Sequence, residues 1–88
     1  MIYITAIHLV GGEGHEHIAS VRWQTPANDK SGENTRAEMV VWINEGGQAY
    51  VSQGGNTAQV GVVNANPPYI RTYADGKWND NLLALPQY

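Results

Sequence analysis

The sequence predicts an α+β domain: a small antiparallel sheet or partly closed barrel of five to six strands with one short helix, in the order ββ-α-ββ-ββ. Three observations predict it. Apolar, β-branched runs alternate with Gly- and Asn-rich turns along most of the chain. Thr35 is followed three residues later by Glu38, a capping box, and then by Met39, Trp42 and Ile43 at the spacing of a buried helical stripe. Near the end, "YIRTYADGKWND" carries Asp75-Gly76, a strong two-residue hairpin signal.

Taken in order, "IYITAIHLV" (2–10) reads as a strand, "GGEG" (11–14) as a turn and "HEHIASVRWQ" (15–24) as the returning strand. If GGEG is the whole loop, Val10 lies opposite His15, His8 opposite His17, Ala6 opposite Ala19, Ile4 opposite Val21 and Ile2 opposite Trp23. That register gathers His8, His15 and His17 on one face, and a loop one residue longer or shorter undoes it. "TPANDKSGEN" (25–34) is turn chemistry and predicts a loop. The helix spans roughly 36 to 45 and stops at Gly46-Gly47; it is too short to stand without packing on the sheet. "QAYVSQ", "GGNT" and "AQVGVVNA" form a second hairpin over 48–65, and Asn66-Pro67-Pro68 breaks the pairing. In the last hairpin Tyr73 faces Trp78 and Arg71 faces Asp80. The tail "NLLALPQY" is apolar enough to be tied down, as an edge strand or a helical turn.

At 88 residues the chain is a single domain, 1–88. A chain this short buries only about 60 to 65% of its unfolded surface. It has no cysteine, so neither disulfides nor thiolate metal sites reinforce the core. Five basic residues stand against eight acidic ones, and Arg22, Lys30, Arg36, Arg71 and Lys77 form no run. That argues against nucleic-acid binding and against anionic membrane surfaces. With no membrane-length apolar run and no basic-then-apolar leader, a soluble cytoplasmic protein is expected.

The stretches "YITAIHL…HEHIASVRW", "AEMVVWI" and "PYIRTYADGKWNDNLLALP" resemble a small bacterial family catalogued as domain-of-unknown-function family 3892. The resemblance covers nearly the whole chain, and "YIRT…DG…DNLLALP" is its most distinctive block. It implies a stand-alone bacterial or phage-borne domain and supplies no catalytic motif.

The candidate chemistry is modest. His15 and His17 at i and i+2, with His8, could form a three-histidine zinc site, yet HxH without Cys or Asp is weak, and no metal or cofactor is expected. Gly11, Gly12 and Gly14 lead into a strand, where a phosphate loop would lead into a helix, so they read as turn glycines. Tyr69, Arg71 and Tyr73 alternate on one face of the last hairpin, with Trp78, Asp80 and Leu82 opposing them. Such a face could stack a planar ring and hold an anion through the guanidinium; it could equally be a cross-strand ion pair beside an aromatic pair. Ser20, Ser31 and Ser52 lack a nucleophile elbow, and no enzyme is expected.

The expectation is therefore a non-catalytic binding module for a small anionic or nucleotide-like ligand. It would use Arg71, Tyr73, Trp78 and the His8, His15, His17 end, in a pocket that a homo-oligomer could complete. The alternative is a protein–protein interaction module acting through an edge strand or a Trp/Tyr patch.

Overall fold

The computed structural model describes residues 1–53, 55–74 and 76–88. Its elements are β1 (Ile2–Leu9), a 3-10 turn (His15–His17), β2 (Ile18–Gln24), β3 (Ser31–Thr35), α1 (Arg36–Asn44), β4 (Ala49–Gln53), β5 (Asn56–Val63), β6 (Tyr69–Ala74) and β7 (Lys77–Asn79). All seven strands join one open sheet in the order β3-β2-β1-β4-β5-β6-β7.

The sheet has seven strands, where five to six are expected, and it is open, which excludes the partly closed barrel expected as the alternative to a sheet. It is also mixed, because β1 and β4 pair in parallel through Ile2↔Ala49 and Tyr3↔Tyr50. Parallel neighbours need a crossover, and β2, β3 and α1 supply it. The added strand is β3, cut from the expected loop 25–34: Ser31 to Thr35 pair with Gln24 to Ser20.

The helix follows its sequence signals. Thr35 caps it, its hydroxyl accepting from Glu38 N–H at 3.2 Å while the Glu38 carboxylate accepts from Thr35 N–H at 2.9 Å. At the other end Gly47 N–H reaches the Trp42 carbonyl and Gly46 N–H the Ile43 carbonyl, a Schellman closure that needs Gly46 at φ 100°. The core lies between α1 and one sheet face: Met39 and Val40 of the helix pack with Ile2, Ile4, Val51, Val60 and Ile70.

β1 also departs from the expected register. Its bulges pair Ile4 with Trp23, Ile7 with Val21, His8 with Ser20 and Leu9 with Ile18. The second hairpin forms from β4 and β5 with a shorter connection than the expected GGNT, since Asn56 pairs with Gln53 and Thr57 with Ser52; the last hairpin forms as expected, with Tyr73↔Trp78 in register. In their expected turns, Gly54 and Asp75 lie outside the described residues.

Of its two expected forms the tail takes the helical turn, with Ala84 N–H on the Asp80 carbonyl at 3.1 Å and Leu85 N–H on the Leu82 carbonyl at 3.3 Å. It turns through residues 80–84, buries Leu82 and Leu85 in the core, and bridges back to β1 at Ile7↔Gln87. Buried Thr72 anchors its start: the Thr72 hydroxyl donates to Asn79 Oδ1 at 2.5 Å and accepts from Leu82 N–H at 3.2 Å. Among the described residues no helix is long and apolar enough to cross a membrane.

Candidate binding face

Strand pairing aligns side chains across the sheet as well as along it. On the face turned away from α1, Tyr3 pairs with Tyr50, Tyr50 with Gln59, Gln59 with Tyr73 and Tyr73 with Trp78. The result is one lateral row over β1, β4, β5, β6 and β7, about 19 Å long at the usual strand spacing. Tyr3 and Tyr50 lie 6.2 Å apart, Tyr73 donates to Gln59 Oε1 at 3.2 Å, and Tyr73 and Trp78 meet edge-on at 5.4 Å. Trp78 remains 46% exposed at the sheet's edge, so its ring is available for contact.

Arg71 lies one row away on the same face. It pairs with Gly61, over which the Tyr73 and Trp78 rings lean: a Cβ there would sit 3.0 Å from Tyr73 Cε1 and 3.4 Å from Trp78 Cη2. An open groove of about 420 Å³ runs along Gly61, Val62, Tyr73, Gly76 and Trp78. Within β4 to β7, Arg71 is the charged residue on this face, since Lys77 pairs with Ala74 and points to the other.

Arg71 is fixed but not buried. Its Nε donates to the Asn79 carbonyl at 3.2 Å and a terminal nitrogen to Asp80 Oδ1 at 3.0 Å. Asp80 also joins Arg71 to His15, whose Nε2 lies 3.8 Å from the same carboxylate oxygen. His15 is 7% exposed, and among the described residues its buried Nε2 has no hydrogen-bond partner. Burial, and then the Arg71 charge, hold His15 below its ordinary pKa, against the opposing pull of Asp80 and Glu16. The cluster therefore holds a neutral imidazole at neutral pH, one hydrogen bond short beside an ion pair.

The unfolded chain protonates His15 near 6.5, whereas the folded chain resists protonation. The stability is present above pH 6.5 and is lost as pH falls through the folded-state value. Melting temperature measured from pH 7.5 down to pH 5 should fall, and His15→Gln should make the fall shallower.

The other histidines lie elsewhere, so the expected shared face is corrected. The cause is local: after Gly11 at φ 79°, the chain closes a 3-10 turn with His17 N–H on the Gly14 carbonyl, and His15 and His17 do not alternate on a strand. His8 meets the Tyr88 carbonyl and ring, and Tyr88 in turn bonds Ser20 and lies 4.0 Å beneath Arg22. His17 packs its ring on Gly12, with Nε2 3.6 Å from Glu16. Among the described residues no three His, Asp or Glu side chains converge in a metal-binding arrangement.

Of the expected site residues, the structure thus brings together Arg71, Tyr73 and Trp78, with His15 behind Asp80; His8 and His17 stand apart. Tyr3, Tyr50 and Gln59 join the face unannounced by sequence: Tyr3 through the parallel pairing of β1 with β4, Tyr50 and Gln59 through the β4–β5 and β5–β6 registers.

Neither a curated protein nor a solved structure matches the chain. The model of one family, described as "Protein of unknown function (DUF3892)", matches residues 3–86. With nearly its whole length inside that match, the chain belongs to the DUF3892 family.

Proposed function

We propose that this protein is a non-catalytic binding module that takes a small, flat-ringed anionic ligand, of nucleotide-like chemistry, on the sheet face opposite its helix. The observation that carries the reading is the continuous Tyr3–Tyr50–Gln59–Tyr73–Trp78 row with Arg71 beside it. Tyr and Trp give large contact area with polar tips, and a guanidinium gives bidentate recognition of phosphate or carboxylate. The ligand's ring stacks on Trp78 and Tyr73. Its anionic group takes Arg71 by competing with Asp80, a partner whose side chain is 73% exposed and thus displaceable. Such a module suits sequestering or sensing in a bacterial or phage setting.

The test is a thermal-shift series with nucleoside monophosphates on the wild type and Arg71→Ala. At a ligand concentration of 100 times Kd the wild type should gain about 2.7 kcal/mol. Arg71→Ala should lose most of that gain. Full stabilisation retained in the variant sinks the reading.

A second reading, an interaction module, has one observation in its favour: Trp78 is exposed on the short edge strand β7. It predicts that Trp78→Ala abolishes capture of a protein partner while nucleoside monophosphates leave the melting temperature unchanged.

A further inference from the structure

A different cavity lies on the helix side of the sheet. It measures about 270 Å³ and is lined by Ile2, Trp23, Asn34, Glu38, Met39 and Trp42. We propose that it binds a small methylated or quaternary ammonium ion, with the alkyl groups against Trp23 and Trp42 and the positive charge facing Glu38.

Both indoles are held in place. Each lies against a glycine that leaves room for the ring: a Cβ on Gly32 would come within 2.5 Å of Trp23 Cζ2, and one on Gly47 within 2.2 Å of Trp42 Cδ2. Trp23 also donates its Nε1–H to Asn34 Oδ1 at 2.7 Å, so its polar edge is satisfied and its π surface remains. Trp is the best aromatic partner for an ammonium ion, and quaternary ammonium is the ligand that aromatic cages recognise.

Glu38 supplies the counter-charge. Its Oε1 accepts from Thr35 N–H, the Thr35 hydroxyl and Asn34 Nδ2 at 2.9, 3.1 and 3.4 Å. Its Oε2 accepts none of the described hydrogen bonds, and among the described residues no Lys, Arg or His forms an ion pair with it. The bonds from Thr35, backbone first, hold its pKa below the ordinary value, so the carboxylate is charged at neutral pH. An anion is repelled by this wall. A hard divalent cation, which seeks about six or more oxygen ligands, finds one carboxylate and one amide. Ligand sites usually exceed about 300 Å³, so this smaller volume suits a headgroup-sized cation.

The experiment titrates choline into the ¹⁵N-labelled chain at fixed ionic strength and follows the three indole N–H resonances. The expected result is a saturable shift of Trp23 and Trp42 with Trp78 unmoved. Glu38→Gln keeps a capping-box residue and removes the charge; it should weaken choline about tenfold. The uncharged isostere 3,3-dimethylbutan-1-ol should bind weaker by a similar factor. Unmoved Trp23 and Trp42 resonances overturn the proposal, as does equal binding of choline by Glu38→Gln or of the alcohol by the wild type. Because Trp78 reports the opposite face, the outcome is read independently of the Arg71 site.

Discussion

Leu82→Ala should lower the free energy of unfolding by about 2 to 5 kcal/mol. Leu82 lies in the tail after β7, where an ordinary surface segment tolerates substitution. Here it is fully buried in the same cluster as Ile7, Ile18 and Ile70. Its amide is held by the Thr72 hydroxyl, and the chain beyond it returns to β1, with Ile7 N–H on the Pro86 carbonyl and Tyr88 N–H on the Ile7 carbonyl. The backbone around residue 82 thus cannot collapse freely into the vacated volume, which places the cost above simple transfer. In so small a domain that loss is a large part of the total stability. Urea unfolding monitored by circular dichroism measures it. A change under 1 kcal/mol would show that the tail is not part of the core.

Gly47→Ala should cost about 1 to 3 kcal/mol, the range for overpacking. Gly47 ends the helix and its φ is not left-handed, so the cost is steric. The added Cβ would lie 2.2 Å from Trp42 Cδ2 and 2.3 Å from Cε2, and the indole must move. Trp42 cannot move alone, since it packs against the core cluster and closes the cavity beside Met39. Gly46→Ala, with open space around its Cβ but φ at 100°, separates the causes: it strains the backbone and leaves Trp42 in place. Denaturation curves give the costs. A shifted Trp42 indole resonance in Gly47→Ala alone identifies the steric one.

The features legible in sequence are those set by neighbours in the chain. The Thr35–Glu38 box, the Gly46-Gly47 stop and the Tyr73–Trp78 pair each depend on a few consecutive residues, and each forms. Arg71 and Asp80 also meet as the hairpin register requires. β3 was hidden because "SGENT" is an edge strand with alternating exposed and half-buried positions, so no apolar residue marks it. The histidines misled because a glycine-rich connection accepts several backbone paths, and the 3-10 turn buries His15 against β6 while sending His17 toward Gly12. The aromatic row was out of reach for another reason. Tyr3 and Tyr50 are 47 positions apart, and only the parallel β1–β4 contact makes them neighbours.

If the face opposite the helix binds a flat-ringed anion through Arg71 and the aromatic row, as proposed, the bound ligand must perturb those residues first. The most direct test is NMR mapping with adenosine monophosphate on the labelled protein. Saturable shifts are expected at Arg71, Tyr73 and Trp78, extending to Gln59 and Tyr50 and absent in Arg71→Ala. Shifts confined to other surfaces, or no saturable shift at millimolar ligand, would contradict binding at this face.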